Sequence, residues 1–330
     1  MPTRRLRWGL LSTARINRLV IPAIRSSPRS ELTTVASRSI DRARSYAAEW
    51  QIARVLGSYE ALLDDPEIDV VYISLPNSLH VEWTVRALEA GKHVLCEKPL
   101  AQSVEDVDRV AAAATRASRV AEEAFMYRHT PLTHAAGALV QAGKLGAVRG
   151  FKGAFTFPLT REGDVRLEAS LGGGSLWDVG CYPVSYTCFL AASAPVEVFG
   201  WQQLNASGID LEFAGMMKFA DGAVAQFDSG FVGPFRAEME VIGRDATLRI
   251  DRPFRADAMS ALRLTTGDRT EALAFEKEEP FAGEIADMEA AVLDGRPPRI
   301  ALSESRRTVQ TIRALYESAR RVAPVSIPAP

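Results

Sequence analysis

The sequence predicts an α/β protein of two domains, on three observations. Short apolar runs alternate with stretches of helical period over roughly the first third of the chain. Strand-like runs then follow one another with no helix between them. The 330 residues also exceed a single ordinary domain of roughly 150. In the first part the candidate strands are 6–11, 32–37, 70–75, 93–96 and 120–125, and the candidate helices 14–26, 40–50, 78–90 and 103–118. A short strand at 54–56 and a short helix at 58–64 fit between them. Ser58, Ser78 and Ser103 suit helix N-caps, and Gly91 suits a C-terminal cap. Short strands alternating with helices read as β-α-β units, hence a parallel sheet.

The second part offers strands at 149–157, 196–204, 211–219, 223–230, 236–242 and 247–250. Asp221-Gly222 is a hairpin turn. Successive strands without crossover helices imply a mostly antiparallel sheet. Helices at 281–294 and 303–321 close the chain, parted by Pro297-Pro298, and Val325-Ser326-Ile327 can return to one of the sheets. The expected domains are therefore 1–126 and 127–330.

Composition narrows the function. The chain is 47% hydrophobic and 24% charged with a net charge of −2, which argues against a dedicated nucleic-acid or anionic-membrane binder. Three cysteines and four histidines, with no Cys-x-x-Cys or His-x-x-x-His spacing, make neither a disulfide framework nor a metal site. No run of apolar residues is long enough for a membrane span, and the basic start lacks a secretory apolar core. The expectation is a cytoplasmic protein without a metal. Only six of the 39 basic residues are lysine, so a lysine inside a motif stands out.

The turn after the first strand, Ser12-Thr13-Ala14-Arg15-Ile16, leads into a helix whose positive end suits a phosphate. The usual G-x-G-x-x-G positions fall on Ser12, Ala14 and Asn17, so the signal is degraded, and an ordinary strand-turn-helix remains the plain alternative. At the end of the second strand, an NAD site generally places a carboxylate for the ribose 2′-hydroxyl. Here stand Ser37 and Arg38, with Arg42 a turn later. Guanidinium groups suit a 2′-phosphate, so NADP(H) fits better than NAD(H); otherwise Arg38 is a solvated arginine.

Three segments carry a family resemblance: Leu75-Pro76-Asn77-Ser78-Leu79-His80, then Glu97-Lys98-Pro99, then Gly172-Gly173-Gly174 with Asp178 and Tyr182. In this order and spacing the whole chain resembles the Gfo/Idh/MocA oxidoreductases. Many members carry His where Tyr182 stands, so the chain is similar to a Tyr-type branch that acts on sugars, ketosugars and cyclic diols. The resemblance implies a Rossmann doubly wound sheet, then an α+β domain with a large open sheet that pairs subunits into a homodimer or homotetramer. It implies a small sugar-like substrate and, for this branch, mostly NADP(H).

Hydride transfer to or from a carbinol carbon needs a proton transfer at its oxygen. Lys98, at the carboxyl edge of the parallel sheet, can polarise that oxygen, and Tyr182 can give or take the proton; the roles can be exchanged. Asp178, one helical turn before Tyr182, can orient a hydroxyl or hold Lys98, or simply stabilise its helix. The resemblance further implies that Leu75, Pro76, Asn77 and His80 line the nicotinamide and pyrophosphate side and that Glu97 meets a ribose. Arg128 and Arg166 are either cofactor or substrate contacts or members of ion pairs that bridge the domains. Trp177 either caps the nicotinamide or packs in the core. Cys96 and Cys181 read as packing residues. Segments 157–167 and 231–236 are expected to set substrate specificity. The competing reading is a non-catalytic NADP-binding regulator of the same fold.

Overall fold

The computed structural model describes residues 4–161, 163–255 and 257–328. Glu162, inside one expected specificity segment, lies outside the described residues. The first unit opens with β1 (Leu6–Leu11), α1 (Asn17–Ser26), β2 (Ser30–Ala36), α2 (Ile40–Trp50), β3 (Arg54–Leu56) and α3 (Tyr59–Leu63). It continues with β4 (Val70–Ile73), α4 (Asn77–Glu89), β5 (His93–Glu97), α5 (Val104–Ala117) and β6 (Ala121–Ala124). Ser39, Ser58 and Ser103 cap α2, α3 and α5 through their side chains, whereas α4 begins at Pro76-Asn77 without a side-chain cap.

These strands form one parallel sheet in the order β3-β2-β1-β4-β5-β6. Strand β4 is buried along its length and β5 through its middle, as helices on both faces require. The order reverses between β1 and β4, the switch point at whose carboxyl edge ligands bind in such sheets.

The second unit contains α6 (Pro131–Gln141), β7 (Val148–Thr156), α7 (Cys181–Leu190), β8 (Glu197–Leu204), β9 (Asp210–Lys218) and β10 (Val224–Gly230). It adds β11 (Arg236–Gly243), β12 (Thr247–Asp251), β13 (Ala261–Thr266) and β14 (Arg269–Leu273). Along the chain come α8 (Ala282–Leu293), which belongs to the first unit, then α9 (Leu302–Arg321) and β15 (Val325–Ser326). Nine strands make one sheet, β14-β13-β12-β11-β7-β10-β9-β8-β15, antiparallel except where β7 and β10 run parallel. One face packs on α7. The other leaves Trp201 55% and Met216 39% exposed among cross-strand ion pairs such as Arg236–Asp228 and Lys152–Glu240.

The structure departs from the sequence in three places. Residues 281–306 were expected in the second domain, but Phe281–Arg306 belongs to the unit of Met1–Met126. The reason is polar as well as apolar: the buried Glu289 carboxylate accepts from Ser27 and Ser30, both at 2.5 Å, while Arg29 pairs with Asp294 at 2.7 Å. The division from Tyr127–Pro280 and Arg307–Pro330 then falls within α9. Helix α6 was not foreseen, although Thr130 caps it and Pro131 opens it. The β13–β14 hairpin was missed because β13 carries only a short alternation at Leu262 and Leu264 and β14 is exposed and largely polar. Among the described residues, no helix is long and apolar enough to cross a membrane.

Candidate active site

The carboxyl edge of the parallel sheet gathers the first set of expected residues. Ser12 directly follows β1 with φ at 134°, a backbone state that side chains rarely adopt, so the degraded glycine motif keeps its glycine-like turn. The Ser12 hydroxyl lies 2.8 Å from that of Ser74, and Ser74 donates to Asn17 at 2.7 Å. Ala14 N–H donates to Ser12 Oγ at 3.1 Å, and Thr13, Ala14 and Ile16 are half-buried with Arg15 exposed. No side chain caps α1 and its first turn holds no acid. A small-residue turn, an uncapped helix start and Arg15 together fit a dinucleotide pyrophosphate.

At the end of β2, Ser37 is buried and its hydroxyl accepts from Ser39 N–H at 3.3 Å, so it shapes the turn. Arg38 and Arg42 are exposed beside the Tyr59 phenol. Burial pushes that phenol up, and the two guanidiniums pull it back. This pair fits a ribose 2′-phosphate.

Lys98 follows β5, half-buried, before a cis peptide to Pro99. Its neighbours are anchored. Tyr72, fully buried on β4, donates to Glu97 Oε1. Leu100 N–H donates to the buried Glu123 carboxylate at 2.9 Å. His80, 1% exposed, faces Pro99 O from Nδ1 at 2.8 Å and Leu75 O from Nε2 at 2.7 Å. Both His80 nitrogens are thus turned to carbonyls. Leu75, Pro76 and Asn77 are half-buried where β4 gives way to α4. Burial holds the His80 imidazole below its usual range, and Lys98 adds to this against the two carbonyls.

The second unit holds the rest. Leu176–Gly180 forms a π-helical turn that runs into α7, correcting the expected regular α-helical turn between Asp178 and Tyr182. Its start is held from β9: the buried Asp210 carboxylate accepts from Leu176 N–H and Ser175 Oγ, both at 2.8 Å, and from Tyr316 at 2.7 Å. Sequence reasoning missed Asp210, because nothing local marks an acid at a strand start as the cap of a helix elsewhere.

Asp178, 13% exposed, accepts from Arg166 Nε at 2.7 Å, and Arg166 also pairs with the buried Asp164 at 3.2 Å. The two carboxylates, with hydrogen bonds opposing burial, hold the Arg166 guanidinium above its usual range. Arg166 is therefore an ion-pair member inside the second unit. Tyr182 is half-buried among Phe155 and Phe254, each with ring centroid at 5.2 Å, and Tyr127 at 5.7 Å. Arg128 is buried with its guanidinium 4.2 Å over Phe189. Trp177 is buried 5.8 Å from Tyr316, so it packs in the core. Cys96 and Cys181 are buried, and burial pushes the Cys96 thiol far up.

A doubly wound parallel sheet with a phosphate-suited turn, joined to an open mostly antiparallel sheet, defines the two-unit dinucleotide-dependent oxidoreductases. Residues 6–125 match the model of an oxidoreductase family with an NAD-binding Rossmann fold, and residues 133–249 match the GFO/IDH/MocA C-terminal domain. The chain belongs to the Gfo/Idh/MocA oxidoreductase family. It is 38% identical over 325 residues to D-xylose 1-dehydrogenase (NADP(+)) 2 of Haloferax volcanii, covering 97% of this chain and 99% of that protein. It superposes on aldose-aldose oxidoreductase from Caulobacter crescentus, complexed with glycerol, with a TM-score of 0.92 at 26% identity, covering 98% of this chain and 100% of that one. A 3-ketoreductase from Actinomadura kijaniata in complex with NADP and TDP-benzene matches with a TM-score of 0.89 at 30% identity, over 96% and 98% of the two chains.

Proposed function

We propose that this protein is an NADP(H)-dependent oxidoreductase that moves a hydride between nicotinamide and a sugar, a ketosugar or a related cyclic polyol. The observation that carries the reading is Lys98, placed at the carboxyl edge of the parallel sheet in a loop anchored on both sides. Sugar-acting relatives support the substrate class. Arg38 and Arg42, with no carboxylate at the end of β2, support NADP(H), as do relatives named for NADP(+) or bound to NADP. We assign the cofactor to the first unit, and the substrate and subunit pairing to the second.

When bound, the nicotinamide supplies or accepts the hydride. The Lys98 ammonium hydrogen-bonds the reacting oxygen and stabilises negative charge as it develops there. The Tyr182 phenol gives the proton in reduction and takes it in oxidation. Arg166 holds the Asp178 carboxylate in place, so that Asp178 orients a substrate hydroxyl. The exposed sheet face around Trp201 and Met216 pairs two copies of the chain.

The test is a spectrophotometric screen of aldoses, anhydrosugars and ketosugars with NADP(H) and NAD(H). Turnover with NADP(H) is expected, and Lys98→Met with Tyr182→Phe stops it while NADPH still binds. Near-normal turnover in the double variant overturns the assignment. NADPH binding with no turnover across the panel points to the regulatory reading. Titrations should show an NADPH preference that collapses in Arg38→Ala.

A further inference from the structure

His80 stands beside the Lys98 loop with no part in the chemistry above. Its imidazole is held between two strand ends, with Nδ1 at 2.8 Å from Pro99 O and Nε2 at 2.7 Å from Leu75 O. Both neighbours are acceptors, yet a neutral imidazole carries one N–H. A second proton would satisfy both carbonyls, but it would place an imidazolium in a buried pocket beside the Lys98 ammonium. One proton must therefore choose between the two carbonyls.

Burial decides between them. The contact with Pro99 O is fully buried, whereas that with Leu75 O is partly open. Water can serve the Leu75 carbonyl when Nε2 brings no hydrogen, but it cannot reach the Pro99 carbonyl. The proton is worth more on Nδ1.

We propose that His80 is the positioning residue of Lys98: its Nδ1–H donates to the Pro99 carbonyl and fixes the backbone from which Lys98 projects. The inference rests on the reading that Lys98 serves the reacting oxygen. Leu100 N–H on Glu123 and the Tyr72 hydroxyl on Glu97 hold the same loop at its other residues, so His80 supplies the restraint at Pro99. The histidine acts through Lys98 and does not touch substrate.

The first measurement needs no variant and no substrate. Nitrogen-15 spectra of histidine-labelled protein, with His80 assigned among the four histidines, should show the Nδ1–H tautomer at pH 7. The Nε2–H tautomer overturns the proposal. The second measurement compares His80→Asn, whose amide nitrogen falls near the place of Nδ1, with His80→Gln, whose amide falls near Nε2. Lysines are reductively methylated with carbon-13 formaldehyde, and the Lys98 signal is assigned by its loss in Lys98→Arg. The Asn variant should keep the wild-type Lys98 signal and the Gln variant should shift it. With NADP+ and D-xylose, or the best sugar of the screen, kcat should fall about tenfold to a hundredfold in Gln and recover in Asn, with KM for NADP+ little changed. Equal or better rescue by Gln, or a Lys98 signal that moves in neither variant, overturns the proposal. If wild type turns over no sugar, the functional reading fails, and the two spectra still decide the role of His80.

Discussion

Ser12 and Ser74 directly follow two neighbouring parallel strands, β1 and β4, and meet hydroxyl to hydroxyl at 2.8 Å. The contact sits where the strand order of the first sheet reverses, at the carboxyl edge where ligands bind in such sheets. It also explains why serine holds a position that glycine commonly takes. The hydroxyl bonds to Ser74 and to Ala14 N–H offset the cost of φ at 134°.

Ser12→Gly and Ser12→Ala separate those two effects. Alanine loses the hydroxyl and keeps the strained backbone, and should cost about 1–3 kcal/mol. Glycine loses the hydroxyl but adopts the backbone freely, and should cost about 1 kcal/mol less than alanine. Urea unfolding of both variants reads the difference. Equal losses would mean the backbone at Ser12 carries no strain.

Gly173→Ala tests why the loop before the π-helical turn is glycine. A Cβ there would lie 2.3 Å from the carbonyl oxygen of Arg166 and 2.7 Å from its carbon, and backbone cannot swing aside. Gly173 and Gly174 instead bond Glu168 O and Arg166 O through their N–H groups, both at 3.0 Å. The variant should lose about 2–4 kcal/mol in thermal or urea unfolding.

Arg166→Gln should leave Asp164 and Asp178 without their shared cation. Asp164 is buried and Asp178 nearly so, while Arg166 is 39% exposed, which moderates the loss to about 1–3 kcal/mol. NADPH affinity, measured by fluorescence titration, should stay at the wild-type value, because both partners of Arg166 lie in the second unit. A large loss of NADPH affinity would return Arg166 to the cofactor contacts.

His93 gives the fold a defined pH dependence. Its Nδ1 accepts from Val120 N–H at 3.0 Å, a bond only the neutral ring can make. Burial first, and the nearby Arg119 charge second, lower its pKa to about 4 from the usual 6.5. The folded value is depressed, so this contribution is whole above the unfolded value and is lost as pH falls from 6.5 through 4. Wild type should lose about 2–3 kcal/mol from this group across that window. His93→Asn, which keeps an acceptor for Val120, should show a flatter profile. Parallel profiles for the two proteins would exclude His93 as the titrating group.

Much of the candidate site was legible because its residues lie in short contiguous segments. Lys98 follows an apolar strand directly, and Asp178 and Tyr182 follow the glycine run at close spacing. Arg38 was legible as the second residue after β2, where an NAD site generally places a carboxylate. Asp210 was not legible, since its three donors come from residues 34, 35 and 106 positions away in the sequence. The tasks of His80, Trp177 and Arg128 depended equally on what each side chain met, and the sequence offered only their neighbours.

By itself the sequence determined the alternation of strands and helices, the hairpin turn at Asp221-Gly222 and the placing of Lys98 at a strand end. These rest on local physics: the period of apolar residues, the turn preference of glycine and the capping of helices by serine. Tertiary structure alone decided that Phe281–Arg306 joins the first unit, that β7 and β10 run parallel, that Asp178 faces Arg166 and that His80 faces Pro99. Each of those outcomes depends on which distant partner satisfies a buried polar group or covers an apolar face, and that choice is made only when the chain packs.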